Sequence, residues 1–149
     1  MIRGSAPARF VVDASVALKL VWQETHTDAA FRFFGAVKRR RTQLIAPSFW
    51  FTECANGCWK RVQRKVGTPE EAVAALAIVG ALPVVRIDTA ELEDTALELA
   101  LRNRTSAYDS LYVATAQFAD VPLVTADMRL VQMLKDAAWE GSVFHISRW

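Results

Sequence analysis

Phe10-Val11-Val12-Asp13 near the start of the chain, and Leu123-Val124-Thr125-Ala126-Asp127 near its end, decide the fold. Each is a short, continuous apolar run that stops at, or just before, an aspartate. Runs of this length without polar alternation read as strands buried on both faces. Three more segments fit the same description: residues 43–46, stopped by Pro47, then 84–87 and 143–146. The stretches between them carry helical spacing. Residues 14–21 form a short helix whose start Ser15 can help. Thr27 reads as the N-cap of a helix over 28–38, with Ala30, Phe31, Phe34 and Val37 on one side. Ser48 is the expected cap of a long helix to about residue 66, ended by Gly67. Thr68-Pro69-Glu70-Glu71 opens the next, which runs to Gly80, with proline first and acids in the first turn. Helices over 88–102, with Leu92, Ala96, Leu99 and Ala100 inward, over 107–118 and over 128–138 complete the pattern. Strands alternating with helices predict a parallel α/β sheet covered on both faces.

Composition bounds the remaining choices. The chain has 149 residues, 52% hydrophobic and 23% charged, which suits one packed domain and excludes a disordered chain. Residues 1–9 are small and polar and read as a flexible leader, leaving 10–149 as the domain. The formal charge of +2 is low for a protein that holds nucleic acid by charge alone. Cations are clustered instead, at Lys38 to Arg41 and at Lys60, Arg61, Arg64 and Lys65, so an RNA ligand would be met by patches; the run Lys38 to Arg41 follows a helix end, where positive charge is favoured anyway, and reads as that before it reads as an RNA contact. Cys54 and Cys58, four apart, share a helix face and read as buried thiols. His26 and His145 have no metal-ligand spacing. No segment is long and apolar enough for a membrane span, and no signal peptide is evident, so the expected location is the cytoplasm.

In open α/β sheets ligands bind beyond the carboxyl ends of the strands, where the strand order switches. Asp13 ends the first strand and Asp127 stands two residues past the fourth, which places both at that edge. Glu53 and Asp109 lie early in helices among apolar and aromatic residues. A carboxylate in such company must be paired, bind metal or stay protonated. Four acids without histidine or thiolate partners make an oxygen-only donor set, suited to Mg²⁺ or Mn²⁺. The chemistry natural to that site is phosphodiester hydrolysis by metal-activated water. The cation would also reverse the sign of a carboxylate cluster that otherwise repels phosphate.

Four blocks then carry a family resemblance: Val12-Asp13-Ala14-Ser15, Thr52-Glu53-Cys54-Ala55-Asn56, Ala107-Tyr108-Asp109-Ser110-Leu111-Tyr112-Val113-Ala114 and Val124-Thr125-Ala126-Asp127. Together, in this order, they resemble the PIN-domain nucleases, and among them the VapC toxins of toxin–antitoxin pairs, from about Phe10 to the end of the chain. The resemblance implies a three-layer α/β/α fold with a central, mainly parallel sheet of four to five strands. It implies a divalent-metal-dependent endoribonuclease, a homodimer, and inhibition by a cognate antitoxin protein. Carried over residue by residue, the catalytic and metal-site acids are Asp13, Glu53, Asp109 and Asp127, with Ser15, Asn56 and Thr125 as supporting polar positions. Asp13 and Asp109 are expected to touch the metal directly; Glu53 and Asp127 are expected to hold its waters or a second ion.

Plainer readings stand beside each of these. Asp13 or Asp127 alone reads as a helix cap, Asp109 as a response to the helix dipole, and Glu53 as half of an ion pair. Lys60 and Arg64 continue the face of Glu53 and, with Arg129, are candidate contacts for RNA phosphates; the alternative is a solvated face and a surface salt bridge. Gly57 on that face leaves room either for a substrate backbone or for a packed helix. Two other function classes compete. One is a phosphoryl-transfer domain with Asp13 as nucleophile, although Ser15 stands where a dehalogenase-type site needs a second aspartate. The other is a module that binds RNA or protein without cleavage, although binding alone would favour cations over carboxylates.

Overall fold

The computed structural model describes residues 8–149. Among these residues five strands, β1 (Arg9–Val12), β2 (Gln43–Pro47), β3 (Val84–Ile87), β4 (Leu123–Thr125) and β5 (Val143–His145), form one sheet in the order β3-β2-β1-β4-β5. Every pairing is parallel, with Val11 opposite Ile45 on one side and opposite Leu123 on the other. The chain first steps outward from β1 to β3 and later resumes on the far side of β1. The strand order therefore switches between β1 and β4, the two strands whose ends carry aspartates.

Among the described residues, seven helices cover the sheet: α1 (Ala14–Leu18), α2 (Thr27–Arg40), α3 (Trp50–Gln63), α4 (Pro69–Gly80), α5 (Glu93–Asn103), α6 (Ala107–Ala119) and α7 (Met128–Asp136). Successive strand residues point to opposite faces, and the core divides accordingly. Val11, Ile45 and Leu123 pack with Trp50 and Cys54 of α3, Leu99 of α5, Tyr112 and Val113 of α6 and Leu130 of α7. Val12, Leu44 and Val124 pack on the other face with Ala30, Phe33 and Val37 of α2 and with Ile146. Two apolar layers flanking one sheet make the three-layer α/β/α fold. None of the helices is long and apolar enough to cross a membrane among the described residues.

Several local expectations change. Residues 1–7 of the expected leader lie outside the described residues, and Arg9 is the first residue of β1, in register with Gln43. Thr27 is the first residue of α2, not its cap; His26 caps it in a left-handed conformation, and the Thr27 hydroxyl bonds the Trp22 carbonyl and the Glu24 amide instead. Phe31 is exposed, because the buried stripe of α2 runs through Ala29, Ala30, Phe33 and Val37. Ser48 makes no cap, as α3 begins after Phe49, and that helix ends at Gln63 rather than at Gly67. A 3₁₀ turn, Ala90–Leu92, precedes α5. The start of α4 holds as read: Thr68 and Glu71 form a reciprocal capping box with Pro69 in the first turn. Cys54 and Cys58 are buried, unpaired thiols on one face of α3.

Leu44 is fully buried in the middle of the sheet, so Leu44→Ala is expected to lower unfolding free energy by about 2–5 kcal/mol. Thr68→Ala removes only the capping bonds and is expected to cost about 1 kcal/mol. Urea unfolding of both variants checks the order of the two effects.

Candidate active site

The site is assembled by the switch point. The Asp13 amide donates to the Val124 carbonyl at 3.0 Å, which extends the β1–β4 pairing by one residue. The chain then turns into α1, and Asp13 caps it: its Oδ1 accepts from the Ser15 amide at 3.0 Å. Its Oδ2 accepts from the Thr125 hydroxyl at 2.6 Å. The Thr125 Oγ1 also accepts from the Asp127 amide at 3.0 Å, and the Ser15 hydroxyl accepts from the Ala126 amide at 3.1 Å. Two short polar side chains thus lace the ends of β1 and β4 together and hold two of the acids at one edge.

The other two acids arrive on helices. Glu53 lies in the first turn of α3 and accepts a short hydrogen bond from the Tyr112 hydroxyl of α6. Asp109 is the third residue of α6, whose N-cap Ser106 accepts from the Asp109 amide at 3.0 Å. Asp109 and Tyr112 are three apart, so one face of α6 serves both acids.

The carboxylates feel one another. Burial pushes the Asp13 carboxyl above the usual range, against the hydrogen bonds from Thr125 and Ser15, and Asp109 raises it further. Burial lifts Glu53 to about 7, opposed by Tyr112 and reinforced by Asp13 and Asp109. Burial also raises Asp109; the Ser106 hydroxyl opposes this, Asp127 adds to it, and Arg129 offsets it. Every one of the four sequence-predicted acids is therefore electrostatically coupled to at least one other. Among the described residues, no three carboxylate, histidine or thiol side chains converge tightly enough to ligate an ion as they stand. The donor set nonetheless fits a hard divalent cation. It is all oxygen, it is partly desolvated, and its mutual repulsion is what a cation relieves. Asp127 uses Oδ1 to cap α7, accepting from the Arg129 and Leu130 amides, and its Oδ2 has no hydrogen bond among the described residues.

The plainer readings of Asp13 and Asp127 as helix caps thus hold, and the acids are coupled as well. Ser15 and Thr125 take supporting positions. Asn56 is exposed on α3 and makes no hydrogen bond to the acids among the described residues. Arg129 lines a cleft of about 240 Å³ with Arg104, Ser106, Asp109, Asp127 and Met133. Lys60 is exposed but close enough to Glu53 to lower its pKa. Arg64, the C-cap of α3, forms no ion pair with the acids among the described residues. A Cβ at Gly57 would meet the Leu18 side chain of α1, which favours the packing reading of that glycine.

Sequence reasoning misses two contributors. Tyr112 reads there as apolar company, although its spacing from Asp109 marks it as facing the site. His145 lacks ligand spacing in the sequence, yet the sheet brings its ring to 5.2 Å from that of His26. Its Nε2 lies 3.1 Å from the Ala126 carbonyl, and its Nδ1 lies 2.7 Å from the Ser147 hydroxyl. Burial lowers its pKa, so it is neutral at pH 7. The carbonyl can only accept, so Nε2 carries the proton and braces the residue before Asp127.

The chain belongs to the PIN domain family, whose model matches residues 10–135, from β1 through α7. Solved structures share the fold. PAE2754 from Pyrobaculum aerophilum is 20% identical, with a TM-score of 0.65 over 99% of this chain and 90% of that one. A chain in the structure of VapBC2 from Rickettsia felis, bound to a DNA fragment from its promoter, is 14% identical, with a TM-score of 0.66 over 92% and 98%. Mycobacterium tuberculosis VapC20, a sarcin–ricin loop cleaving toxin, is 22% identical, with a TM-score of 0.63 over 83% and 93%. No curated protein sequence matches the chain.

The raised carboxyls bear on stability. Glu53 titrates near 4.5 when unfolded and about 7 when folded, so the folded state holds the extra proton between those values. Its contribution is full below pH 4.5 and is lost as pH rises through 7. In EDTA, the melting temperature is expected to fall from about pH 5 to about pH 8, and Glu53→Gln is expected to flatten that decline. A wild-type Tm that rises over the interval would contradict the coupling.

Proposed function

We propose that this chain is a divalent-metal-dependent endoribonuclease and the toxin of a toxin–antitoxin pair. The observation that carries the reading is the electrostatic coupling of four acids, Asp13, Glu53, Asp109 and Asp127, supplied by four separate elements around the β1–β4 switch point. Membership of the PIN domain family supports it. So does the likeness to VapC20, a toxin that cleaves the sarcin–ricin loop, and to chains in the VapBC2 and FitAB structures.

Asp13 and Asp109 would bind Mg²⁺ or Mn²⁺ directly, with Glu53 and Asp127 holding its waters or a second ion. When bound, the metal lowers the pKa of a water and neutralises charge building on the phosphate. The protein's own groups do the positioning. Thr125 and the Ser15 amide fix both oxygens of Asp13, leaving its remaining lone pairs directed away from them. Tyr112 orients Glu53, which is near half-protonated at neutral pH without metal and is therefore suited to exchanging a proton with the attacking water. Arg129 lies beside Asp109 and Asp127 where a phosphate would approach, and Lys60 and Arg64 extend positive charge along α3.

Large apolar side chains left exposed, such as Val73 and Ile78 on α4, Leu97 and Leu101 on α5 and Phe118 on α6, fit a protein that buries surface against a second copy and an antitoxin. Cytoplasmic location follows from an RNA substrate and from the free thiols.

Purified protein is expected to cut cellular RNA at discrete positions with Mg²⁺ or Mn²⁺, to stop in EDTA, and to lose the cuts as Asp13→Asn. Thr125→Val and Tyr112→Phe, which keep the acids but release their orientation, are each expected to lower cleavage by about 10–100-fold. Equal cutting by wild type and Asp13→Asn would exclude this site. Metal-dependent RNA binding with no cleavage by antitoxin-free protein would favour a binding module.

A further inference from the structure

Beside the carboxylates lies a second, larger cleft of about 560 Å³. One wall is the end of α5 and its cap, with Arg102, Asn103 and Arg104; the other is α7, with Arg129, Gln132 and Met133. It shares Arg104, Arg129 and Met133 with the small cleft that holds Asp109 and Asp127. The two clefts therefore adjoin, with Arg104 and Arg129 between the acids of one and Arg102 and Asn103 of the other.

Three features of this cleft suit an anionic ligand. First, Arg102, Arg104 and Arg129 form no salt bridge among the described residues, where only Lys19 and Glu24 pair. Their guanidinium groups make no hydrogen bond there either, and the one acid in the wall, Asp136, accepts instead from Gln132 at 2.7 Å. Secondly, Asn103 is 4% exposed, and its Nδ2 has no hydrogen-bond partner among the described residues. A buried donor left unpaired is costly, and an apolar residue there would avoid the cost. Thirdly, Arg102 and Arg104 suit the C-terminal end of a helix, but Arg129 stands in the first turn of α7, where the helix dipole disfavours a cation.

We propose that this cleft is a second RNA subsite, which holds backbone phosphate of the strand flanking the one cut at the carboxylates. The proposal rests on the nuclease reading above and extends it beyond the acids. Arg102 and Arg104 neutralise the flanking phosphates, and Arg129 bridges from them to the scissile group. Asn103, in the same wall, supplies the unpartnered donor for a phosphate or sugar oxygen. The Gln132–Asp136 pair on the facing wall presents amide and carboxylate groups to the nucleotide's base. The subsite sets how much RNA must extend from the cut on that side, so it acts on binding and choice of cleavage position.

The test is fluorescence anisotropy with a labelled single-stranded RNA decamer, in Mg²⁺, on an Asp13→Asn background that silences cleavage. Arg102→Gln/Arg104→Gln is expected to raise Kd by about tenfold or more, and to lower the slope of log affinity against log salt by about 0.7 for each phosphate no longer neutralised. Arg39→Gln/Arg40→Gln removes the same charge at the end of α2, at the opposite edge of the sheet, and is expected to change Kd by less than about twofold. Asn103→Leu is expected to weaken binding several-fold while the melting temperature holds or rises, an outcome a merely structural asparagine would not give. Unchanged Kd and salt slope in the double arginine variant would overturn the subsite. If wild type cuts RNA in the same preparation, only the subsite falls; if wild type neither cuts nor binds RNA, the nuclease reading falls with it.

Discussion

The parallel pairing of β1 with β4 is the constraint on which the rest of the molecule depends. It joins segments more than a hundred residues apart through a few backbone bonds, of which the last, from the Asp13 amide to the Val124 carbonyl, is already part of the site. Because the switch in strand order falls here, two strand ends stand open side by side, with no crossover helix between them to fill the gap. The same pairing points Val11 and Leu123 to one core and Val12 and Val124 to the other. One register thus sets both the layering of the fold and the position of two acids. A slip by one residue would exchange the two cores and remove Asp13 from Thr125.

Around that edge the molecule carries groups that oppose stability. Three partly desolvated carboxyls have raised pKa values, each through burial first and through its neighbours second. Such groups persist where the surrounding scaffold is stable enough to hold them, and the fully buried apolar residues of β1 and β4 provide it. The polar bonds at the site are short in reach and redundant. Thr125 serves Asp13 and Asp127 together, and Ser15 contributes both its amide and its hydroxyl. Asp13 and Asp127 are helix caps and candidate ligands at once; capping fixes their position, and their free lone pairs remain for chemistry.

Electrostatics also divides the surface. The acids occupy the switch point, and cations lie to either side: Lys60 and Arg64 along α3, and Arg102, Arg104 and Arg129 across the α5–α7 cleft. A near-neutral chain can in this way present alternating signs to a polyanion, with a cation completing the centre.

Much of this is legible in the sequence. The strands near Phe10, Gln43 and Leu123 show as short apolar runs because they lie between two helical layers, whereas the edge strand Val84–Ile87 leaves Val85 and Arg86 exposed; the four acids show because each interrupts an apolar context. Local signals with one physical cause, such as Thr68-Pro69-Glu70-Glu71, read correctly to the residue. Other features belong to the tertiary structure alone. Phe31 faces outward because the sheet, and not the periodicity of α2, selects which stripe is buried. Gly57 is small because Leu18 of another helix lies against it. Tyr112 reaches Glu53, and His145 braces Ala126, only because strand order brings distant segments together. The cleft lined by Arg102, Arg104 and Arg129 has no signature in the chain, since its walls come from the end of one helix and the side of another. Sequence by itself determines what each segment would bury and which residues carry charge; long-range pairing decides which of those charges meet, because the energy of their meeting depends on distances that no local pattern records.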